Sequence, residues 1–92
     1  MKQMIYCVMG DDETEWEGLI LERFSNDDRL KVGPCQWLVH SDASTSKSVW
    51  QRIVGEGGQP TGMVFPVRGY YGYRDATVWE WIAAKRTLDN GD

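Results

Sequence analysis

The run Met4-Ile5-Tyr6-Cys7-Val8-Met9 contains no charged or amide side chain, and Gly10 ends it. A strand with one wet face alternates apolar and polar residues. A strand without alternation needs cover on both faces, or cover together with pairing on both sides. A chain of 92 residues must therefore build its fold around a central strand close to its start. At this length the chain supports one core. Size scaling gives burial of about 64% of the unfolded surface, enough for a single domain with little to spare. The apolar fraction of 41% and charged fraction of 26% suit such a domain. It is expected over residues 1–86, with 87–92 as a frayed tail. No apolar run approaches the roughly 20 residues of a membrane span, and the N-terminus lacks the pattern of a secretory signal.

The remaining elements follow from periodicity and punctuation. Asp12 is an N-cap candidate before Glu13-Thr14-Glu15, and Trp16, Leu19, Ile20 and Phe24 recur at helical spacing, so a helix is predicted over 13–24. Ser25 to Asp28 breaks it. Leu30 to Val32 reads as a short strand, Gly33-Pro34 as a turn, and Cys35 to His40 as a second long strand. Ser44, Thr45 or Ser46 can cap a helix striped by Val49, Trp50, Ile53 and Val54. Met63 to Arg68 reads as the last strand, with Pro66 inside it. Proline cannot donate to a ladder, so this strand belongs at an edge or at a bulge. After a glycine-punctuated aromatic loop, Asp75 is a cap candidate for a third helix bearing Trp79, Ile82 and Ala83. The order is βαββαβ plus a C-terminal helix. It predicts an α+β, ferredoxin-like antiparallel sheet with two helices on one face and the last strand at an edge beside the first.

Charge is unevenly spread. Asp11 to Asp28 holds eight carboxylates and one base, Arg23, so the segment carries −7 while the rest carries +3 against a total of −4. This is not the basic footprint of a nucleic-acid binder. The acids, with Glu13, Glu15 and Glu17 foremost, read either as a solvated helix face or as an acidic surface that meets a basic partner and mimics nucleic acid. Cys7 and Cys35 read as reduced core thiols of a cytoplasmic protein. One histidine, His40, and no Cys-x-x-Cys spacing give little basis for a zinc site. His40 is read as an edge or surface residue. The neighbours Ser41 and Asp42 make no triad with it, because adjacent strand residues point to opposite faces. Gly55-Glu56-Gly57-Gly58 lacks the Lys-Ser/Thr ending of a phosphate loop.

Tyr6-Cys7-Val8-Met9-Gly10-Asp11 resembles the first strand of the ferredoxin-like CRISPR adaptation (Cas2-like) family, which reads aromatic-x-Val-x-Tyr-Asp. Gln36-Trp37-Leu38-Val39 resembles the Thr-Trp-hydrophobic strand of its shorter relatives. Met63 to Arg68, followed by Val78-Trp79-Glu80-Trp81-Ile82, continues the pattern. The resemblance implies a homodimer. It also implies that Asp11 matches the aspartate proposed to hold the nuclease metal in that family, with Gly10 departing from the aromatic that precedes it there. Many relatives look like non-enzymatic scaffolds.

Asp11 and Asp12 are thus the candidates for Mg2+ or Mn2+, which take oxygen ligands. Each also has a structural reading, as a turn residue and a helix cap. The candidates for interaction are Arg68, Tyr70, Tyr71, Tyr73 and Arg74, which combine aromatic faces with cations, and Trp81, which lies off the Trp79–Ile82 stripe. Such a loop fits a protein interface, a homodimer contact or the stacked bases of a single strand. The expectation is a small non-enzymatic protein that homodimerises and binds a macromolecular partner, a protein ahead of nucleic acid. A metal-dependent nuclease using Asp11, or an acidic inhibitor from a phage or mobile element, are the alternatives. No cofactor is called for unless the nuclease reading holds.

Overall fold

A computed structural model describes residues 3–55, 60–69 and 76–90. Strand β1 (Met4–Gly10) is followed by helix α1 (Glu13–Arg23), a 3-10 turn (Asn26–Asp28), β2 (Arg29–Gly33), β3 (Gln36–Ser41), α2 (Ser46–Val54), β4 (Gly62–Pro66) and α3 (Ala76–Asn90). The strands form one sheet in the order β2-β3-β1-β4. The three pairings β1·β3, β1·β4 and β2·β3 are all antiparallel.

The two faces of β1 are separated by its pleat. Tyr6 and Val8 join Trp37 and Val39 of β3 against Trp16 and Ile20 of α1 and Val49 and Ile53 of α2. Ile5 and Leu38 face the other way, against Ile82 of α3, with Cys7, Leu30, Val67, Val78, Trp79 and Trp81 packed around them. The first strand needs two covers, and it has them: α1 and α2 on one side, α3 on the other. The same arrangement explains β3, whose residues from Trp37 to Ser41 are all buried, polar His40 and Ser41 included. His40 is therefore not at an edge or on the surface. Only 4% of it is exposed, because β3 is interior and α3 roofs that face.

Local chemistry sets the element ends. Asp12 is extended (φ −111°, ψ 111°) and its carboxylate accepts the Glu15 N–H at 2.9 Å. The Arg29 guanidinium donates to the carbonyls of Leu21 and Phe24, satisfying the C-terminal end of α1. Thr45 caps α2 by accepting the Ser48 N–H at 3.1 Å. Gly55 ends α2 at φ 65°, a left-handed conformation that glycine adopts without cost. The ends of α1 and α2 are tied by reciprocal bonds: Arg23 Nε donates to the Arg52 carbonyl and Arg52 Nη2 to the Arg23 carbonyl. A register shift between Lys31 and Gly33 places a bulge in β2 at Val32. Helix α3 spans Ala76–Asn90.

A tight fit joins β1, β4 and α1. Gly10 and Gly62 are paired across the two strands, and the fully buried Trp16 indole lies over both. A Cβ at Gly10 would stand 2.1 Å from Trp16 Cδ1, and one at Gly62 would stand 2.6 Å from Trp16 Cζ2. Trp16 Nε1 donates to the Thr61 carbonyl at 3.1 Å. A side chain at Gly10 has no room, because the space belongs to the tryptophan of α1.

Candidate functional site

Strand β4 has β1 on one side and, among the described residues, no strand on the other. Which of its backbone groups face outward follows from two bonds: Asp11 N–H donates to the Thr61 carbonyl and Val67 N–H to the Ile5 carbonyl. Antiparallel pairing alternates, so residues 61, 63, 65 and 67 turn their peptide groups toward β1, and Gly62, Val64 and Pro66 turn theirs outward. Pro66 thus sits where its missing N–H removes no bond to β1. The outward side offers N–H and C=O from Gly62 and Val64, and C=O alone from Pro66.

The side chains alternate as well. Val64 packs with Trp16 and its neighbours. Met63 and Phe65 lie on the α3 side of the sheet, opposite Met9 and Cys7. Helix α3 lies over β1 and β2, and Met63 remains 56% exposed and Phe65 39%. An edge strand with outward-facing peptide groups and two exposed apolar side chains is an adhesive surface that proteins usually blunt with charge. Arg68, next along the chain, is exposed.

The other candidate residues fall in separate places. Asp11 is exposed at the end of β1, and the Asp12 carboxylate is engaged in its cap. No three His, Cys, Asp or Glu side chains converge as metal ligands among the described residues. Glu13 and Glu17 both bind Lys31 Nζ at 2.9 Å, one turn apart on α1. Those hydrogen bonds, from Glu13 first and then Glu17, hold the Lys31 ammonium above its ordinary pKa against a smaller opposing effect of burial. Lys31 thus ties two acids of the charged segment to the sheet, while Glu15 and Glu22 stay exposed. Trp81 is half-buried against the α3 face, with Lys85 Nζ 5.6 Å from its ring centre. Lys85 also approaches Asp28 Oδ1 at 3.8 Å, and His40 Nδ1 approaches the same oxygen at 3.7 Å, a polar staple that fastens α3 to the 3-10 turn. Tyr70, Tyr71, Tyr73 and Arg74 lie outside the described residues, as does Asp75. Both cysteines are free and half-buried: Cys7 faces α3, where burial raises its thiol pKa, and Cys35 lies in the β2–β3 turn.

Met63 and Phe65 are the site residues that sequence reasoning missed. The signal was partial: Pro66 marks an edge, but Met63 to Val67 is apolar on both faces, so pattern alone does not show which side stays uncovered.

No family model, curated protein or solved structure matches the chain.

Proposed function

We propose that this protein is a small non-catalytic binding protein that forms a homodimer and engages a macromolecular partner in an accessory or regulatory role. The reading includes a ferredoxin-like scaffold with α3 added, a cytoplasmic setting and kinship with the short relatives of the CRISPR adaptation family. The element order and the antiparallel order β2-β3-β1-β4 support the scaffold. One observation carries the binding function: an unpaired edge strand presents Met63 and Phe65 to solvent beside outward peptide groups. Exposed apolar side chains on an edge mark an association surface. The chemistry at the end of β1 favours binding over catalysis, since the Asp12 carboxylate is committed to α1 and Asp11 offers a single carboxylate. Light scattering at high micromolar concentration is expected to give twice the chain mass of 10.5 kDa. A strict monomer under those conditions refutes the reading.

A further inference from the structure

We propose that the second copy docks on the β4 edge itself, as an antiparallel β4–β4 pair whose two-fold axis passes through Val64. The inference rests on the homodimer reading and names its surface and register.

The edge is complementary to itself in this register, whereas shifting the axis by one residue loses either an apolar pair or part of the ladder. With the axis at Val64, each Val64 exchanges both peptide hydrogen bonds with Val64 of the second copy. Gly62 N–H meets the Pro66 carbonyl of the second copy, and the reverse. The donor that Pro66 lacks falls at the end of the ladder, where the Gly62 carbonyl can turn to water. A two-fold axis normal to the sheet keeps like faces together, so Met63 stands opposite Phe65 of the second copy and Phe65 opposite its Met63. The two exposed apolar side chains of the strand cover each other as sulfur–aromatic pairs. These are pairs without direct hydrogen bonds, in which side chains approach most closely.

Shifting the centre by one residue spoils the match. An axis at Met63 sets Phe65 against Thr61. An axis at Phe65 sets Val64 against Pro66 and loses the return bond in the middle of the ladder. With the centre at Val64, the row Leu38, Cys7, Phe65 on the α3 face continues into Met63 and Met9 of the second copy. The two sheets become one.

The test is a charge exchange at two exposed positions, read by sedimentation equilibrium on the full chain, with circular dichroism to verify folding. Phe65→Glu places a carboxylate against Met63 of the second copy and is expected to weaken the dimer at least about a hundredfold. Adding Met63→Lys to the same chain sets Lys against Glu twice in the proposed register. It is expected to recover about tenfold or more, and to lose that gain in high salt. With the axis at Met63 the double variant faces Lys with Lys, and at Phe65 it faces Glu with Glu, so neither register predicts rescue. A wild-type dimer indifferent to Phe65→Glu overturns the edge, and a double variant no tighter than Phe65→Glu overturns the register. Both outcomes leave the homodimer standing. A wild-type chain that never dimerises removes the reading beneath the inference.

Discussion

Gly10→Ala adds one methyl group at the tightest of the described glycines. The new carbon would lie 2.1 Å from Trp16 Cδ1 and 2.3 Å from both Cγ and Nε1. Carbon atoms rest at about 3.5–4.0 Å, so the indole must retreat by about 1.5 Å. Little gives way around it. The ring already lies over the Gly62 backbone, its centroid is 5.5 Å from that of Trp50, and its N–H is bonded to the Thr61 carbonyl. Overpacking a core costs about 1–3 kcal/mol, and a retreat that breaks the bond leaves a buried N–H unpaired for about 1–3 more. The expected loss is thus about 2–6 kcal/mol, a large part of the 5–15 or so that holds a domain together. At about 4–8 °C per kcal/mol for this size, the melting temperature falls by at least about 8 °C. Gly18→Ala is the control. A Cβ there meets nothing within 4 Å, and the residue lies inside α1. It should gain about 0.5–1 kcal/mol from the helix preference of alanine over glycine. Thermal and urea melts followed by circular dichroism measure both. A Gly10→Ala chain melting within about 3 °C of wild type refutes the account of Trp16 as a wedge between two glycines.

Asp12→Ala removes the acceptor of the Glu15 N–H and should cost about 1 kcal/mol in urea melts, whereas Asp12→Asn should retain most of it. Burial raises the Cys7 thiol above its ordinary 9.0, so at alkaline pH the folded chain holds a proton that the unfolded chain gives up. Stability should therefore fall as pH rises through and beyond that value. Cys7→Ala should flatten the slope between pH 9 and the tyrosine range, where the Tyr6 hydroxyl, also raised by burial, begins to add to it. Equal slopes for the two chains in that window dismiss the thiol as the source.

Much of the architecture follows from short-range chemistry. Asp12, Thr45 and Pro66 each act within a few residues, and each stands where the chain requires it: cap, cap and edge. What the pattern leaves open is which layer covers which face. The apolar run of β1 demands two covers, but nothing in Ile5 or Cys7 says that the second is α3. His40 shows the consequence. Its own polarity reads as a surface or edge position, yet its side of β3 is buried with Leu38 beneath α3, and Asp28 lies 3.7 Å from its imidazole. A polar residue reports its own preference for water, and a late helix can override it by closing over a side where an earlier turn already supplies a polar neighbour.

The same limit explains why the candidate site surfaced only with the fold. Aromatic and basic residues at 68–74 attract notice as composition, whereas Met63 and Phe65 are ordinary strand residues until their cover is known. Helix α3 roofs β1 and β2 and stops short of the edge, so Cys7 is half-buried while its cross-strand neighbour Phe65 is open. Exposure here is a difference between neighbours in one row, created by the width of a single helix against a four-stranded sheet. Four strands spaced about 4.8 Å apart span about 14 Å between their outer axes, more than one helix of about 10 Å covers. An uncovered strip is therefore a geometric consequence of adding one helix to that face. Its chemistry is the part selected by sequence: apolar Met63 and Phe65, where lysine or glutamate would have served a solitary monomer better.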